Sequence, residues 1–283
     1  MPAPKRPPLS KKRQQYAQER GGFTFVGKPL SYPAGVAERY QRELDRMIRP
    51  MIRAYERELR KIMLEPDVIT QDASTASRAR IALNSLARRF QKLFNERAPI
   101  LTDRMLGGVD KHSELDLKQS LKDVSGGLTL KTTNMPAALR ESFKAAAVEN
   151  VSLIKSIPSQ YHERIEGAVM RSIQVGGEGR KTLMDELTNI GGMSERRARN
   201  IANDQVRKAT TTSNTERAKA LGIKKFKWLH SGGGFDKRQK HVDASGKTYS
   251  YDNPPRIGDK GEPVLPGYAI NCRCRAVPVI EWD

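Results

Sequence analysis

The segment from 228 to 275 concentrates the side chains of this chain that could do chemistry. It contains two of the four histidines, His230 and His241, and both cysteines, Cys272 and Cys274. Imidazole and thiolate groups are zinc ligands, so a zinc site built from these four side chains is one interpretation. The Cys-x-Cys spacing differs from the Cys-x-x-Cys of standard zinc fingers. We therefore expect no cofactor, with zinc as the alternative.

The same cysteines also suit a structural role, which we favour. Side chains alternate along an extended strand, so Cys272 and Cys274 would share one face and Arg273 would lie on the other. In a reducing cytosol, such thiols are small buried packing residues. The residues expected to stabilise this module are Trp228, Asp236, Arg238, His241, Gly246, Asn271, Cys272, Arg273 and Cys274.

Catalysis has weaker support in the sequence. His241 could pair with either cysteine as base and nucleophile, or could hold a metal with Asp236 and Asp243 for phosphodiester cleavage. No Walker loop, His-Glu-x-x-His, Gly-x-Ser-x-Gly or dinucleotide-binding fingerprint occurs. We expect no catalytic residues and no enzymatic activity, and a metal-dependent nuclease acting on DNA is the alternative.

The charge of the chain points to a polyanionic partner. The 283 residues include 51 Lys and Arg against 32 Asp and Glu, a formal net charge of +19. Nucleic acid, an anionic membrane surface or an acidic protein would each complement that charge. The residues predicted to contact nucleic acid are Arg196, Arg197, Arg199, Lys224, Lys225, Lys227, Lys237, Arg238 and Lys240.

Two local patterns underlie that prediction. Residues 187–201 have the spacing of a helix-hairpin-helix, whose turn at Gly191 and Gly192 would present backbone N–H groups to a phosphate. A helix-turn-helix packing element without a ligand is the simpler alternative. Further along, lysines alternate with Trp228, Phe235, Tyr249 and Tyr251, as in surfaces that bind phosphates and unstacked bases.

Hydrophobic periodicity predicts a largely helical chain. Apolar residues recur at helical spacing over 36–64, with a kink at Pro50, and over 74–106, with an interruption near Pro99. Residues 107–134 are typical of a loop. Further helices are predicted to open at Pro136 and Ser159, and over 180–190 and 194–221.

After Gly222 the pattern changes to short strands over 226–228 and 247–251, with an edge strand over 276–280. The predicted fold class is α+β, a mainly helical N-terminal and middle region followed by a small loop-rich module with short antiparallel strands. The expected domains are a basic, Pro-rich extended arm over 1–34, a helical region with a long loop over 35–134, and a domain over 135–283. That domain would comprise helices over 135–221 and a β-containing module over 222–283.

No transmembrane or secreted form is predicted. The sequence contains no run of about 18 apolar residues, and residues 1–15 lack the apolar centre of a secretory signal. We expect the chain to be made and kept in the cytosol.

The order of motifs resembles the C-terminal module of phage Mu F-like head-morphogenesis proteins, the minor capsid proteins of tailed phages. The resemblance covers about residues 130 to 280 and rests on a Trp, an Arg-x-x-His, a Gly, a Pro-Gly and an Asn-Cys-Arg-Cys in that order. The residues are Trp228, Arg238, His241, Gly246, Pro266, Gly267, Asn271, Cys272, Arg273 and Cys274.

The resemblance implies a virion protein present in few copies inside the capsid near the portal vertex, with assembly in the host cytoplasm. It would be required for a correctly assembled or DNA-filled head. The implied partners are the portal protein, the major capsid protein, or both, together with packaged double-stranded DNA and no membrane during assembly. A DNA-binding protein unconnected to virions is a further alternative.

Overall fold

A computed structural model describes residues 23–64, 74–122, 135–175, 177–232 and 237–282. Its helices are α1 (Ala34–Leu64), α2 (Thr75–Ser120), α3 (Ala137–Val175), α4 (Gly177–Ala220) and the short α5 (Gln239–Asp243). Its strands are β1 (Phe23–Val26), β2 (Lys225–Leu229), β3 (Thr248–Ser250) and β4 (Arg275–Trp282). This architecture confirms the α+β class. None of the helices in these ranges has the length and apolar character needed to cross a membrane.

Each of the long helices α1, α2 and α3 continues through a proline. Pro50 lies inside α1, Pro99 inside α2 and Pro158 inside α3. The predicted break near Pro99 and the separate helix start at Ser159 are therefore wrong. Apolar residues on both sides of each proline are buried, and that burial outweighs one lost backbone hydrogen bond.

Helix α2 also extends through most of the predicted loop over 107–134. The helix reaches Ser120, and Val109, Ser113 and Leu117 are fully buried along one of its faces. A Cβ added at Gly108 would lie 3.2 Å from both methyl groups of Val36, so this glycine allows α1 to approach closely. The loop prediction is wrong for residues 107–120, and residues 123–134 of it lie outside the described residues.

The predicted helix-hairpin-helix turn is likewise absent from the described residues, because α4 runs without a break through Gly191 and Gly192. A Cβ at Gly191 would lie 3.1 Å from the Ile52 side chain, so the glycine serves close packing and not a turn. Ser194 donates from its hydroxyl to the Ile190 carbonyl at 3.2 Å, a bond within a helix and not an N-cap.

The chain forms two compact units, and the division between them falls within each long helix. The helical unit comprises Ala37–Arg104 and Ala147–Asn203. Its core includes Tyr55 packed edge-on against Tyr161, with ring centroids 5.1 Å apart. The Tyr40 hydroxyl donates to Asn150 Oδ1 at 2.8 Å, so a buried polar contact also joins α1 to α3.

The mixed unit comprises Met1–Val36, Met105–Ala146 and Asp204–Asp283. Its antiparallel sheet has the strand order β1-β4-β2-β3. Strand β4 pairs with β1 through Val26 and Val279 and with β2 through Phe226 and Pro278. Strand β4 is therefore an inner strand, which corrects the predicted edge strand over 276–280, because β1 covers its outer side.

The described part of the predicted basic arm belongs to this fold. Residues 1–22 lie outside the described residues, whereas Phe23–Val26 form a strand and Leu30 is buried. The Ser31 backbone N–H and hydroxyl both donate to the Asp116 carboxylate on α2, each at 2.7 Å. From residue 23 onward the chain is therefore a structural element of the mixed unit, which corrects the predicted extended arm for residues 23–34.

The helical conformation of residues 107–120 is testable with two adjacent glycines. Nothing lies within 4 Å of a Cβ added at Gly107, so Gly107→Ala should raise the free energy of unfolding by about 0.5–1 kcal/mol through helix propensity. The matched variant Gly108→Ala should lack this gain, because its Cβ meets Val36. Urea denaturation followed by circular dichroism measures both, and equal effects of the two variants would contradict the helix.

Candidate functional site: a buried histidine and cysteine cluster

Three side chains singled out in the sequence meet inside the mixed unit. His241 Nδ1 lies 3.5 Å from Cys272 Sγ and 3.8 Å from Cys274 Sγ. The imidazole and both sulfurs lie within 4.8 Å of one another. All three residues are buried, with exposed fractions of 2%, 3% and 6%. We call these residues the His-Cys-Cys cluster.

Helix α5 and a tight turn bring the cluster together. His241 lies on the buried side of α5, a single short helix that begins after Arg238. The Cys272 backbone N–H donates to the Ala269 carbonyl at 2.9 Å, which closes the turn that precedes the first cysteine. Asn271 in this turn has a φ of 57°, a left-handed conformation that asparagine tolerates better than most residues. This geometry accounts for the asparagine next to the Cys-Arg-Cys sequence.

The aromatic ring that packs against the cluster comes from strand β2. The ring of Trp228 is fully buried and meets the His241 imidazole edge-on, with centroids 5.1 Å apart and planes at 76°. The Gly246 backbone N–H donates to the Trp228 carbonyl at 2.8 Å, and Gly246 has a φ of 82°, which favours glycine. Trp228, His241 and Gly246 thus form one continuous structural unit.

Arg238 holds two loops beside the cluster. Its Nε and Nη2 donate to the two carboxylate oxygens of Asp259 at 2.8 and 3.1 Å, and its Nη1 donates to the Ile270 carbonyl at 3.1 Å. The hydrogen bonds and charge of Arg238 hold the pKa of the Asp259 carboxyl below its usual value. A planar guanidinium suits this bidentate geometry, which a lysine cannot reproduce. Arg238 therefore connects the loops that contain Asp259 and Ile270 and stabilises the module.

The two sulfurs of the cluster have different electrostatic environments. A hydrogen bond from Cys274, aided by backbone N–H groups of Cys274 and Gly267, lowers the pKa of Cys272 to about 5. The pKa of Cys274 is raised by its hydrogen bond to Cys272 and by burial. Of the two thiols, Cys272 therefore loses its proton more readily.

The remaining predicted residues of this segment lie outside the cluster. His230 is half-buried, and its Nδ1 accepts a hydrogen bond from the Gly232 N–H at 3.1 Å. Arg273 and Asn271 are exposed between and beside the cysteines, in agreement with the predicted alternation. Asp236 lies outside the described residues. Three of the four candidate zinc ligands therefore meet, and His230 is separate from them.

The nuclease arrangement has no support from the described residues. Asp243 is exposed and accepts a hydrogen bond from the Gln239 side-chain amide at 2.7 Å. His241 is instead buried against sulfur and indole. An open site for phosphodiester cleavage would need both groups to face one water-accessible metal.

The predicted basic residues of the mixed unit lie mainly on its surface. Lys225 and Lys227 alternate with the buried Phe226 and Trp228 along β2, so they project from the opposite face of the strand. Lys225 forms an ion pair with Glu281 at 2.8 Å. The exposed members of the set are Lys224, Lys237 and Lys240.

A second basic surface lies in the helical unit, between α3 and α4. A groove of about 440 Å³ is lined by Arg164, Arg196 and Arg197, and we call it the arginine groove. Arg197 donates to the Ser156 hydroxyl at 3.1 Å, which helps to fix the position of its guanidinium. Arg199 is exposed and is not among the lining residues. Sequence reasoning missed Arg164, because only the packing of α3 against α4 brings it beside Arg196 and Arg197.

Part of the chain matches a family of known proteins. Residues 163–277 match the family described as Phage Mu protein F like protein, which confirms the resemblance noted in the sequence. The matched range contains all three residues of the His-Cys-Cys cluster and all three arginines of the groove.

The chain is also similar to a protein of Haemophilus influenzae (strain KW20 Rd) that is described as an uncharacterized protein. The two sequences are 33% identical over 175 residues, which is 61% of this chain and 37% of the relative. The chain thus spans less than two-fifths of that relative's length. No solved structure matches the chain.

The packing of Trp228 predicts that it is essential for the stability of the mixed unit. Trp228→Ala should lower the free energy of unfolding by about 3–5 kcal/mol, because it removes a fully buried indole and leaves a cavity beside His241. Ile270→Ala is the control, since Ile270 lies beside the cysteine turn but is 63% exposed, and it should change stability by less than about 0.5 kcal/mol. Chemical denaturation measures both, and similar losses would contradict the described packing.

Proposed function

We propose that this chain is a minor head protein of a tailed bacteriophage that binds portal or capsid protein and packaged DNA near the portal vertex. The observation that carries the proposal is the match of residues 163–277 to the Mu F-like family. The virion location and the requirement for an assembled or DNA-filled head come from that family resemblance. Portal protein and major capsid protein are its proposed protein partners.

Charge supports contact with the packaged genome. The chain carries a formal net charge of +19. Binding of cationic side chains to DNA phosphates is favourable because it releases condensed counterions. The arginine groove offers three guanidinium groups along one helix pair, and guanidinium groups bind phosphate in bidentate geometry. Phosphate contacts of this kind carry no base specificity, which suits a protein that meets whatever sequence is packaged.

Burial of the chemically reactive residues supports a binding role without turnover. The cluster's imidazole and sulfurs are each at most 6% exposed, and Arg238 fastens the loops around them. A nucleophile or a metal-bound water must be reached by substrate in order to react. We propose that these residues hold the module in shape and that other surfaces make the contacts.

The head role predicts where the protein is found during infection. Immunoblots of purified procapsids and mature particles should detect the chain in few copies, and inactivating its gene should yield defective or DNA-free heads. A matched control is complementation by the intact gene in trans, which should restore filled heads. Absence of the protein from procapsids and particles alike would overturn the proposal and favour a DNA-binding protein unconnected to virions.

DNA binding through the arginine groove predicts a specific salt dependence. Affinity for double-stranded DNA should fall steeply between low and physiological salt. The triple variant Arg164→Gln, Arg196→Gln and Arg197→Gln should reduce the slope of log affinity against log salt by about 2 to 3, one counterion for each lost phosphate contact. Fluorescence anisotropy with a labelled duplex measures the slope.

The matched control removes the same charge elsewhere in the helical unit. Arg46, Arg49 and Arg171 are exposed and form ion pairs with glutamates at positions 43, 195 and 186. The triple variant Arg46→Gln, Arg49→Gln and Arg171→Gln should leave the slope close to that of the wild type. Equal slopes for both triple variants would exclude the groove as the binding surface.

A further inference from the structure

The His-Cys-Cys cluster has the dimensions of a zinc site. Zinc bonds of about 2.3 Å to sulfur and about 2.0–2.1 Å to nitrogen place tetrahedral nitrogen and sulfur ligands about 3.6 Å apart. His241 Nδ1 lies 3.5 Å from Cys272 Sγ and 3.8 Å from Cys274 Sγ. Both distances lie within about 0.2 Å of the tetrahedral value.

Backbone N–H groups donate hydrogen bonds to both sulfurs of the cluster. The Cys274 and Gly267 backbone N–H groups donate to the Cys272 sulfur, and the Ser231 backbone N–H donates to the Cys274 sulfur. Such bonds from surrounding groups orient metal ligands and tune their charge. Gly267 has a φ of 86°, and a Cβ there would lie 2.9 Å from Thr211 Oγ1, so this position favours glycine. The backbone around the sulfurs is thus organised for two ligands that face one point.

The types of ligand atom in the cluster determine which metal ion it would prefer. Two thiolates and one imidazole favour zinc over the hard cations magnesium and calcium, which take oxygen ligands. A neutral imidazole beside two deprotonated sulfurs gives a net charge of −2, which one divalent ion neutralises. Packing alone would be served by small apolar residues and would not require both thiols to converge on one imidazole nitrogen.

We propose that His241 Nδ1, Cys272 Sγ and Cys274 Sγ bind one Zn²⁺ ion in the mixed unit. The ion joins α5 to the Cys-Arg-Cys segment. Its role is structural, because the ligands are buried and Arg238 fastens the loops on either side. This role adds a cofactor to a module that the sequence predicted without one.

Metal content of the untagged chain tests the proposal. Protein purified under reducing conditions without chelators should contain about one zinc ion per chain, as measured by inductively coupled plasma mass spectrometry. Cys272→Ser, Cys274→Ser and His241→Ala should each reduce the content to below about a tenth of that value. His230→Ala is the matched control, because His230 lies nearby outside the cluster and should leave the zinc content unchanged.

Cobalt titration of the wild type keeps the test independent of variants that fail to fold. The reduced, chelator-stripped chain should bind one Co²⁺ with the intense near-ultraviolet absorption of thiolate-to-cobalt charge transfer, and Zn²⁺ should displace it. Absence of both zinc and this absorption would overturn the proposal. Loss of metal in His230→Ala with retention in His241→Ala would overturn the ligand assignment. Neither outcome bears on whether the chain is found in phage heads.

Discussion

The convergence of His241, Cys272 and Cys274 behind the Trp228 ring is the interaction on which the mixed unit depends. The sheet alone is small, and the face of β2 that carries Lys225 and Lys227 is only partly buried. Burial of the opposite face requires α5 and the cysteine segment to pack against Trp228. Small domains with few apolar residues often need an additional cross-link, and a bound ion would supply one.

The long helices follow from a different balance of free energies. A proline inside a helix costs about 3 kcal/mol, and an exposed glycine costs about 1 kcal/mol relative to alanine. Each fully buried Leu, Met or Val contributes about 1.5–3 kcal/mol. After Pro99, Leu101, Met105 and Val109 are all buried on α2, so packing exceeds the local penalty. The lengths of these helices are therefore set by packing in the hydrophobic core and not by local helix propensity.

The two units serve the proposed function in different ways. The mixed unit presents lysines on the face of its sheet opposite the core. The helical unit presents arginines in a groove, one of them held by Ser156. Both surfaces rely on rigid elements to aim their cations, and neither depends on a reactive side chain. A head protein that contacts DNA without reading its sequence needs charge at fixed positions more than it needs base contacts.

The sequence by itself determined the α+β class, the strand β2 with its alternating burial, and the resemblance of the C-terminal part to the Mu F-like family. These features follow from local periodicity and from motifs such as the Cys-Arg-Cys sequence. Both can be recognised without knowledge of long-range contacts. The alternation of exposure at Cys272, Arg273 and Cys274 was also predictable from an extended backbone.

Only the tertiary structure decided which of these residues meet. It separated His230 from the cluster, continued α4 through Gly191, and placed β1 beside β4 although about 250 residues separate them in the chain. Arg164 joined the groove for the same reason. Local sequence carries no record of a partner distant in the chain, because the free energy that selects the pairing comes from burial shared between both segments.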